Sequence, residues 1–266
     1  APGGAGADGG RAARGGRPPR ATKRRGRGSS IASALLFQLD EGGMDFPAFL
    51  ENWEYNPLDY DQRQNFQMLH VIFQSCEVTQ TLSIPDSTLQ DFFEALAGKY
   101  LAENPYHTFE HGVDVCYYLY RLMRESHFNV MVPQLDLVVM LITAVAHDVG
   151  HLGVNNAFLV AAGHPLARLY NDQSPLENMH GATLFALLGE ERTALLAGLG
   201  AESRRRARAL AIRALLGTDM RHHFRAVSDL EAFYEAHRGE FERYRAATSL
   251  SASAGTRGGA GAEGVA

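Results

Sequence analysis

The sequence predicts an all-α fold, and three observations predict it. Apolar residues recur at three- and four-residue steps in six segments, the rhythm of a helix with one buried face. Alternating apolar and polar stretches bounded by hairpin dipeptides, the mark of half-buried strands, are nearly absent. The longest apolar run, LVVMLITAVA at 137–146, has ten residues. A bilayer span needs about 20, so the run reads as a core helix.

FQMLHVIFQSC (66–76) is the first clear helix. SIPDSTLQDFFEALAGKYLAENP (83–105) is the second: Asp86 or Ser87 caps it, Leu89, Phe92, Phe93, Leu96 and Tyr100 form its apolar face, and Asn104-Pro105 stops it. HTFEHGVDVCYYLYRLMRE (107–125) starts after that stop, and PQLDLVVMLITAVAHD (133–148) is the most apolar helix of the chain. PLENMHGATLFALLG (175–189) comes next. ESRRRARALAIRALLGTDM (202–220) closes the series, with Arg204, Arg205, Arg206 and Arg208 on a solvated face and Leu210, Ile212, Leu215 and Leu216 on the apolar one.

A chain of 266 residues that is 45% hydrophobic can bury a real core in one or two domains. Its net charge of -5 is unevenly divided: residues 1–30 carry +7, which leaves -12 for the rest. Residues 1–32 are Gly, Ala, Arg and Pro, too poor in apolar side chains to offset the entropy of ordering, and are expected to be a disordered basic arm. The segment 248–266, TSLSASAGTRGGAGAEGVA, is expected to be a similar tail, which makes 33–247 the folded unit. The arm suits an acidic protein, an anionic membrane surface or nucleic acid. No aromatic residue within 1–30 offers a base a stacking platform, so no specific nucleic acid is expected.

Cys76 and Cys116, each in an apolar helical stretch, suggest neither a disulfide framework nor a cysteine zinc site and suit a reducing compartment. The first residues lack the apolar stretch of a secretory leader. They are Arg-rich and acid-poor like an organelle transit peptide, yet Gly-rich, Ser-poor and not amphipathic, so the cytoplasm is the expected location. A start at Ala rather than Met fits a fragment of a longer protein.

Two short stretches, YHTFEH (106–111) and HDVGHLGVNN (147–156), concentrate histidine. Metal binding, acid–base chemistry and a hydrogen-bonded core are the uses open to such a cluster. His107 and His111, four apart at a helix start, project from one face. His147 and Asp148 end the most apolar helix, where an ionised aspartate is desolvated unless something cationic neutralises it. His151 lies one turn further. Imidazole and carboxylate ligands suit Zn²⁺, Mn²⁺ or Mg²⁺ and leave coordination positions open for water. Such a site lowers the pKa of bound water towards ~7, and a carboxylate bridging two ions clamps a phosphoester. His70, His127, His164 and His237 stand alone in sequence and read as structural.

YHTFEHGVDV resembles the YHNxxHAxDV signature of the class I cyclic-nucleotide phosphodiesterases, and AVAHDVGHLGVNNAFL their HDxxHPGxxNxFL metal motif. LYNDQSPLENMH resembles their YNDxSxLENHH, and LLGTDMRHHF the helix carrying ATDMxxH. The likeness runs from about Phe46 to Tyr244. It implies an all-α, multi-helical HD-domain bundle that uses two divalent metal ions, Zn²⁺ with Mg²⁺ or Mn²⁺. The implied reaction is hydrolysis of the 3′ phosphoester of cAMP or cGMP to the 5′-monophosphate, in cyclic-nucleotide signalling.

In such enzymes a hydroxide bridging the ions attacks the phosphate in line, and a histidine protonates the leaving 3′ oxygen. The resemblance makes His107 that general acid, and His111, His147 and Asp148 metal ligands, with Asp148 touching both ions. His151 matches a histidine that works through metal-bound water, and Glu177 an acceptor that holds metal waters and the acid histidine. Tyr106 matches a tyrosine lining the pocket, Asn156 and Asn178 asparagines that brace loops around the metals, and Thr218, Asp219 and Met220 residues of the pocket floor and wall.

The pattern departs from the family at three places. Leu152 stands where the family usually has Pro, and Met179 where LENHH has its first histidine. The family also has a second metal-binding aspartate on a later helix, then a purine-gripping glutamine and a phenylalanine that clamps the base. Beyond Asp219 the only aspartate here is Asp229, too close to the motif, and the Gly/Ala/Ser tail follows. The chain as given is therefore expected to be incomplete at its C-terminus and to turn over weakly or not at all. The alternative is an inactive phosphodiesterase-like module that binds partners, whose exposed apolar surface favours self-association. More distant metal-dependent phosphohydrolases share the His-Asp pair, but the YHTFEH start and LENMH block set this chain apart. The sequence does not choose between cAMP and cGMP.

Overall fold

The computed structural model describes residues 45–255. The readings of 1–32 and of 256–266, with the first residues of the expected folded unit, fall outside the described residues. Among the described residues the regular structure is α-helix and short 3₁₀ turns, without a strand, so the all-α expectation holds. The helices are α1 (Phe46–Phe49), α2 (Gln62–Ser75), α3 (Val78–Leu82), α4 (Asp86–Ala97), α5 (Phe109–Glu125), α6 (Gln134–Ala146), α7 (Asn156–Ala161), α8 (Pro165–Leu169), α9 (Pro175–Leu187), α10 (Ala201–Gly217) and α11 (His223–Gly255).

α6 is the axis of the bundle because it is almost wholly apolar, and buried, from Leu137 onward. Leu137, Val138, Val139 and every residue from Leu141 to Ala146 are buried. It packs against α5 and α10, while α2 packs on α5 and α9 on α10. α2 starts with a capping box, in which the Asp61 side chain accepts from the Gln64 amide at 2.8 Å and the Gln64 side chain accepts from the Asp61 amide at 2.9 Å.

Several helix boundaries differ from the sequence reading. Pro85, not Asp86 or Ser87, occupies the N-cap of α4; Asp86 is the first helical residue, where its charge complements the helix dipole. α4 stops at Ala97, with Gly98 as its C-cap, well before Asn104-Pro105, because Gly loses more conformational freedom in a helix than any other residue. Tyr100 is buried nonetheless, its hydroxyl donating to the Val145 carbonyl at 2.8 Å. α5 begins at Phe109, so His111 is helical but His107 lies on the loop before the N-cap Thr108.

α10 buries Ala207, Ala211 and Leu215, with Leu210, Ile212 and Leu216 only partly buried, and the two alanines let it lie close to Val139 of α6. Its basic run is only partly a free solvated face. Arg206 makes a bidentate pair with Asp136 (2.9 and 2.6 Å), and the Arg208 guanidinium sits 4.1 Å from the centre of the Phe185 ring. α11 extends to Gly255, so the first residues of the expected tail are helical. Its described side chains are almost all exposed, Phe224 at 84% and Leu230 at 67%, and it packs chiefly against the turn Met220–His222. No helix among the described residues is long and apolar enough to cross a membrane.

α5 and α6 approach closely at Gly112, where an added Cβ would lie 2.7 Å from the Val145 carbonyl oxygen and 2.9 Å from the Tyr100 hydroxyl. Backbone on one side and a buried phenol on the other leave no room to yield. Gly112→Ala is therefore expected to destabilise the chain by about 2 kcal/mol, even though Ala is the better helix former by about 1 kcal/mol. Urea unfolding would show a lower midpoint; a midpoint at or above that of the parent chain would contradict the close approach.

Candidate metal centre and active site

The C-terminal end of α6 is finished by residues of the site itself. A helix leaves its last carbonyls without intrahelical donors. Here the Ala144 carbonyl takes Nδ1–H of His147 at 2.8 Å, Val145 takes the Tyr100 hydroxyl at 2.8 Å, and Ala146 takes the Val149 amide at 3.1 Å. A carbonyl only accepts, so Nδ1 of His147 carries a proton and Nε2 faces the Asp148 carboxylate, 3.1 Å from Oδ2.

Asp148 is the hub. Its Oδ2 lies 3.4 Å from Nε2 of His111 and 4.0 Å from Nε2 of His107, and its Oδ1 lies 3.7 Å from Nε2 of His180. One ligand atom each of His111, His147 and Asp148 fall within 4.8 Å of one another. Burial works to raise the Asp148 pKa, but hydrogen bonds from His111 and His147 and the charges of His147 and His180 outweigh it and hold the carboxyl well below the usual carboxylate range. At His147 burial opposes protonation, yet the hydrogen bond and charge of Asp148 prevail and raise its pKa.

His180 was not singled out from sequence. It stands one turn after Glu177 on α9, 1% exposed, with Nδ1 donating to the Val149 carbonyl at 2.8 Å. Burial pushes its pKa down to about 4, so the ring is neutral near pH 7 and its Nε2 lone pair points towards Asp148. The LENMH block held the signal, since Glu177 and His180 are three apart and share a helix face. Lone pairs aimed at a carboxylate repel it unless a proton or a cation lies between. His111, His147 and Asp148 therefore fit a divalent cation by donor chemistry as well as by spacing, with His180 beside the second Asp148 oxygen.

His107 and His151 stack face to face, ring centres 3.8 Å apart at 17°. Burial lowers the pKa of both. His151 accepts from the Gly153 amide through Nδ1 at 3.0 Å, and its carbonyl accepts from Asn104 at 2.7 Å. Gly150 and Gly153 carry the loop through φ of +75° and +76°, which glycine adopts without steric cost. Leu152, in the place of the family's proline, is part-exposed, and Met179 packs by Gly150.

A cleft of about 1230 Å³ opens over this hub, lined by His107, His147, Asp148, His151 and His180. Asn156, Glu177, Thr218, Asp219 and Met220 also line it. Glu177, whose pKa burial raises, accepts from Asn156 Nδ2 at 2.9 Å, and Asn156 Oδ1 accepts from the Leu176 amide at 3.0 Å, which ties α7 to α9. Asn178 turns away to donate to the carbonyls of Gln173 and Ser174 at 2.8 and 3.0 Å. Thr218 donates to Leu215 at 2.7 Å, and buried Asp219 accepts from Ser174 at 2.8 Å. Met220 is 70% exposed at the rim. Tyr106 lies outside the cleft lining, its ring centre 4.5 Å from that of His111. Of the four histidines read as structural, His164 accepts from the Leu166 amide at the start of α8, and His70 is buried.

Residues 106–253 match the family model described as 3′5′-cyclic nucleotide phosphodiesterase. The chain belongs to this phosphodiesterase family. It is 30% identical over 180 residues to the 3′,5′-cyclic-nucleotide phosphodiesterase regA of Dictyostelium discoideum, covering 68% of this chain and 23% of that protein. It is 33% identical over 201 residues to isoform F of the 3′,5′-cyclic-AMP phosphodiesterase of Drosophila melanogaster, covering 76% of this chain and 29% of the relative. The phosphodiesterase domain of the RhoPDE fusion protein from the choanoflagellate Salpingoeca rosetta has a similar structure, with a TM-score of 0.65 and 29% identity over 71% of this chain and 60% of that one. This phosphodiesterase-family chain thus spans under a third of the length of the two curated relatives.

The depressed pKa of His180 makes stability depend on pH. Unfolded, the ring takes up a proton below its ordinary value of 6.5; folded, it does so only near 4. Its contribution is complete above pH 6.5 and is lost as pH falls from there towards 4. In metal-free protein the urea midpoint should drop across that window, and His180→Gln, which keeps a donor for Val149, should flatten the drop. Equal slopes in the two proteins would show that the ring is not buried neutral.

Proposed function

We propose that the unit expected at 33–247, a partial catalytic domain, hydrolyses the 3′ phosphoester of a cyclic nucleotide, cAMP or cGMP, to the 5′-monophosphate. The observation that carries this reading is the convergence of His107, His111, His147 and His180 on the Asp148 carboxylate, beneath an open cleft, in a member of this family. His111, His147 and Asp148 would hold divalent metal, and the separate surroundings of the two Asp148 oxygens support two ions, Zn²⁺ with Mg²⁺ or Mn²⁺. Bound divalent ions would supply charge neutralisation for the phosphodiester and lower the pKa of an attacking water.

His107 is the proton donor in this reading. It is part-exposed at the cleft with Nε2 towards Asp148, within reach of a leaving oxygen, and burial lowers its pKa, which makes its protonated form a stronger acid. Glu177 and Asn156 hold α7 and α9 in register around the site. Tyr106 steadies the His111 ring, His151 backs His107, and Asn178, Thr218, Asp219 and Met220 shape the turns at the cleft edge. Turnover by this chain is proposed to be slow: among the described residues His111, His147 and Asp148 form the three-ligand set, without a carboxylate from a further helix.

A non-catalytic, partner-binding reading has one observation in its favour, the exposed Phe224, Leu230, Phe233 and Tyr244 of α11. That surface supports self-association, which sedimentation at increasing concentration would reveal. Two free thiols, with Cys116 fully buried, support a cytoplasmic location.

Purified chain with Mn²⁺ or Mg²⁺ should convert cAMP or cGMP slowly to the 5′-monophosphate, followed by chromatography. Asp148→Asn should abolish both turnover and metal binding, and His107→Ala should cost about 10²–10⁴ in kcat with metal affinity kept. Metal binding without any hydrolysis would favour the partner-binding reading, and rapid turnover would overturn the proposed impairment.

A further inference from the structure

The general acid needs to be held at a fixed distance from the metal ligands, yet His107 sits on a loop, outside the helix that carries His111. Two observations show what holds it. Its ring stacks on His151 at 3.8 Å, and the backbones of both residues converge on one side chain, Asn104. Nδ2 of Asn104 donates to the His151 carbonyl at 2.7 Å and to the His107 carbonyl at 3.3 Å, one amide nitrogen with a hydrogen for each. The two carbonyls belong to loops that are forty-four residues apart along the chain. Gly153 keeps the slot open: a Cβ there would lie 2.8 Å from Oδ1 of Asn104.

We propose that Asn104 is a positioning residue for proton donation, a clamp that sets the separation of the stacked His107 and His151 rings and so aims Nε2 of His107 over Asp148. The proposal rests on the phosphodiesterase reading for its catalytic part, but the clamp itself is a statement about geometry. Asn104 bonds to the carbonyls of His107 and His151 and makes no hydrogen bond to His111, His147 or Asp148, so losing it should disturb the acid and leave the metal ligands in place. A donor is essential. Aspartate at 104, the same shape as asparagine, would set a carboxylate against two carbonyl oxygens and push the loops apart.

The test compares Asn104→Asp and Asn104→Ala with the parent chain by three measurements. Calorimetric titration with Mn²⁺ should give affinities within about 2-fold of the parent. The imidazole proton resonances of His107 and His151, displaced in the parent by ring stacking, should move towards unstacked values in both variants, while those of His147 stay. Turnover of cAMP should fall roughly 10–100-fold, part of what a general acid supplies. Turnover of bis(p-nitrophenyl) phosphate, whose leaving group departs without a proton, should change little.

Unmoved His107 and His151 resonances overturn the clamp whatever the activities do. Equal losses on the two substrates, or a large loss of Mn²⁺ affinity, overturn it as well, because Asn104 would then be supporting the whole centre. If the parent chain hydrolyses neither substrate, the phosphodiesterase reading fails by itself, and the resonances still decide whether Asn104 sets the ring pair.

Discussion

An ionised carboxylate at the end of the most apolar helix is the constraint on which the rest of the site depends. Asp148 has two reasons not to be charged: it is largely buried, and it follows the C-terminus of α6, where the helix dipole is negative. The fold answers with imidazoles from three directions. α6 brings His147 itself, α5 brings His111, α9 brings His180, and the loop before α5 adds His107. Each can be a proton carrier or a metal ligand, so the same arrangement that makes the anion tolerable in the metal-free chain is the one that would receive a cation.

Small residues make this convergence possible. Gly112 follows His111 directly, and the close passage of α5 across α6 at that point is what places the His111 ring beside Asp148. On the far side of α6, Ala207 and Ala211 do the same for α10, and Gly181 follows His180 where α9 meets Leu215 of α10. In α5 the imidazole is followed by the glycine that lets its helix come near. The ligand and the means of approach are neighbours in sequence.

Much of this was legible in the sequence, and the exceptions have physical causes. The helix period located the core, and the motif histidines 107, 111 and 147 with Asp148 do gather as expected. His107 was placed in a helix because a spacing of four looks the same whether the first member is the last loop residue or the first helical one. The end of α4 was set too late because Tyr100 continues the apolar pattern while lying outside the helix, tethered by its hydroxyl. On α10 the apolar face read from sequence, Leu210, Ile212, Leu215 and Leu216, includes the buried Leu215 but omits Ala207 and Ala211, because size suggests burial whereas close helix contact selects alanine. His180 escaped notice because its role depends on a carboxylate thirty-two residues away, and Asn104 because an asparagine before a proline reads simply as a stop.

α11 stands apart from this economy of close contacts. Among the described residues its main packing partner is the turn at its start, and isolated helices in water are marginal. Gly239 lies near its middle with nothing within 4 Å of where a Cβ would be. Glycine is the residue with most to gain by leaving a helix, so that is the point where water first competes for the backbone. Gly239 thus divides α11 into two lengths and is the position at which its helical backbone is least favoured.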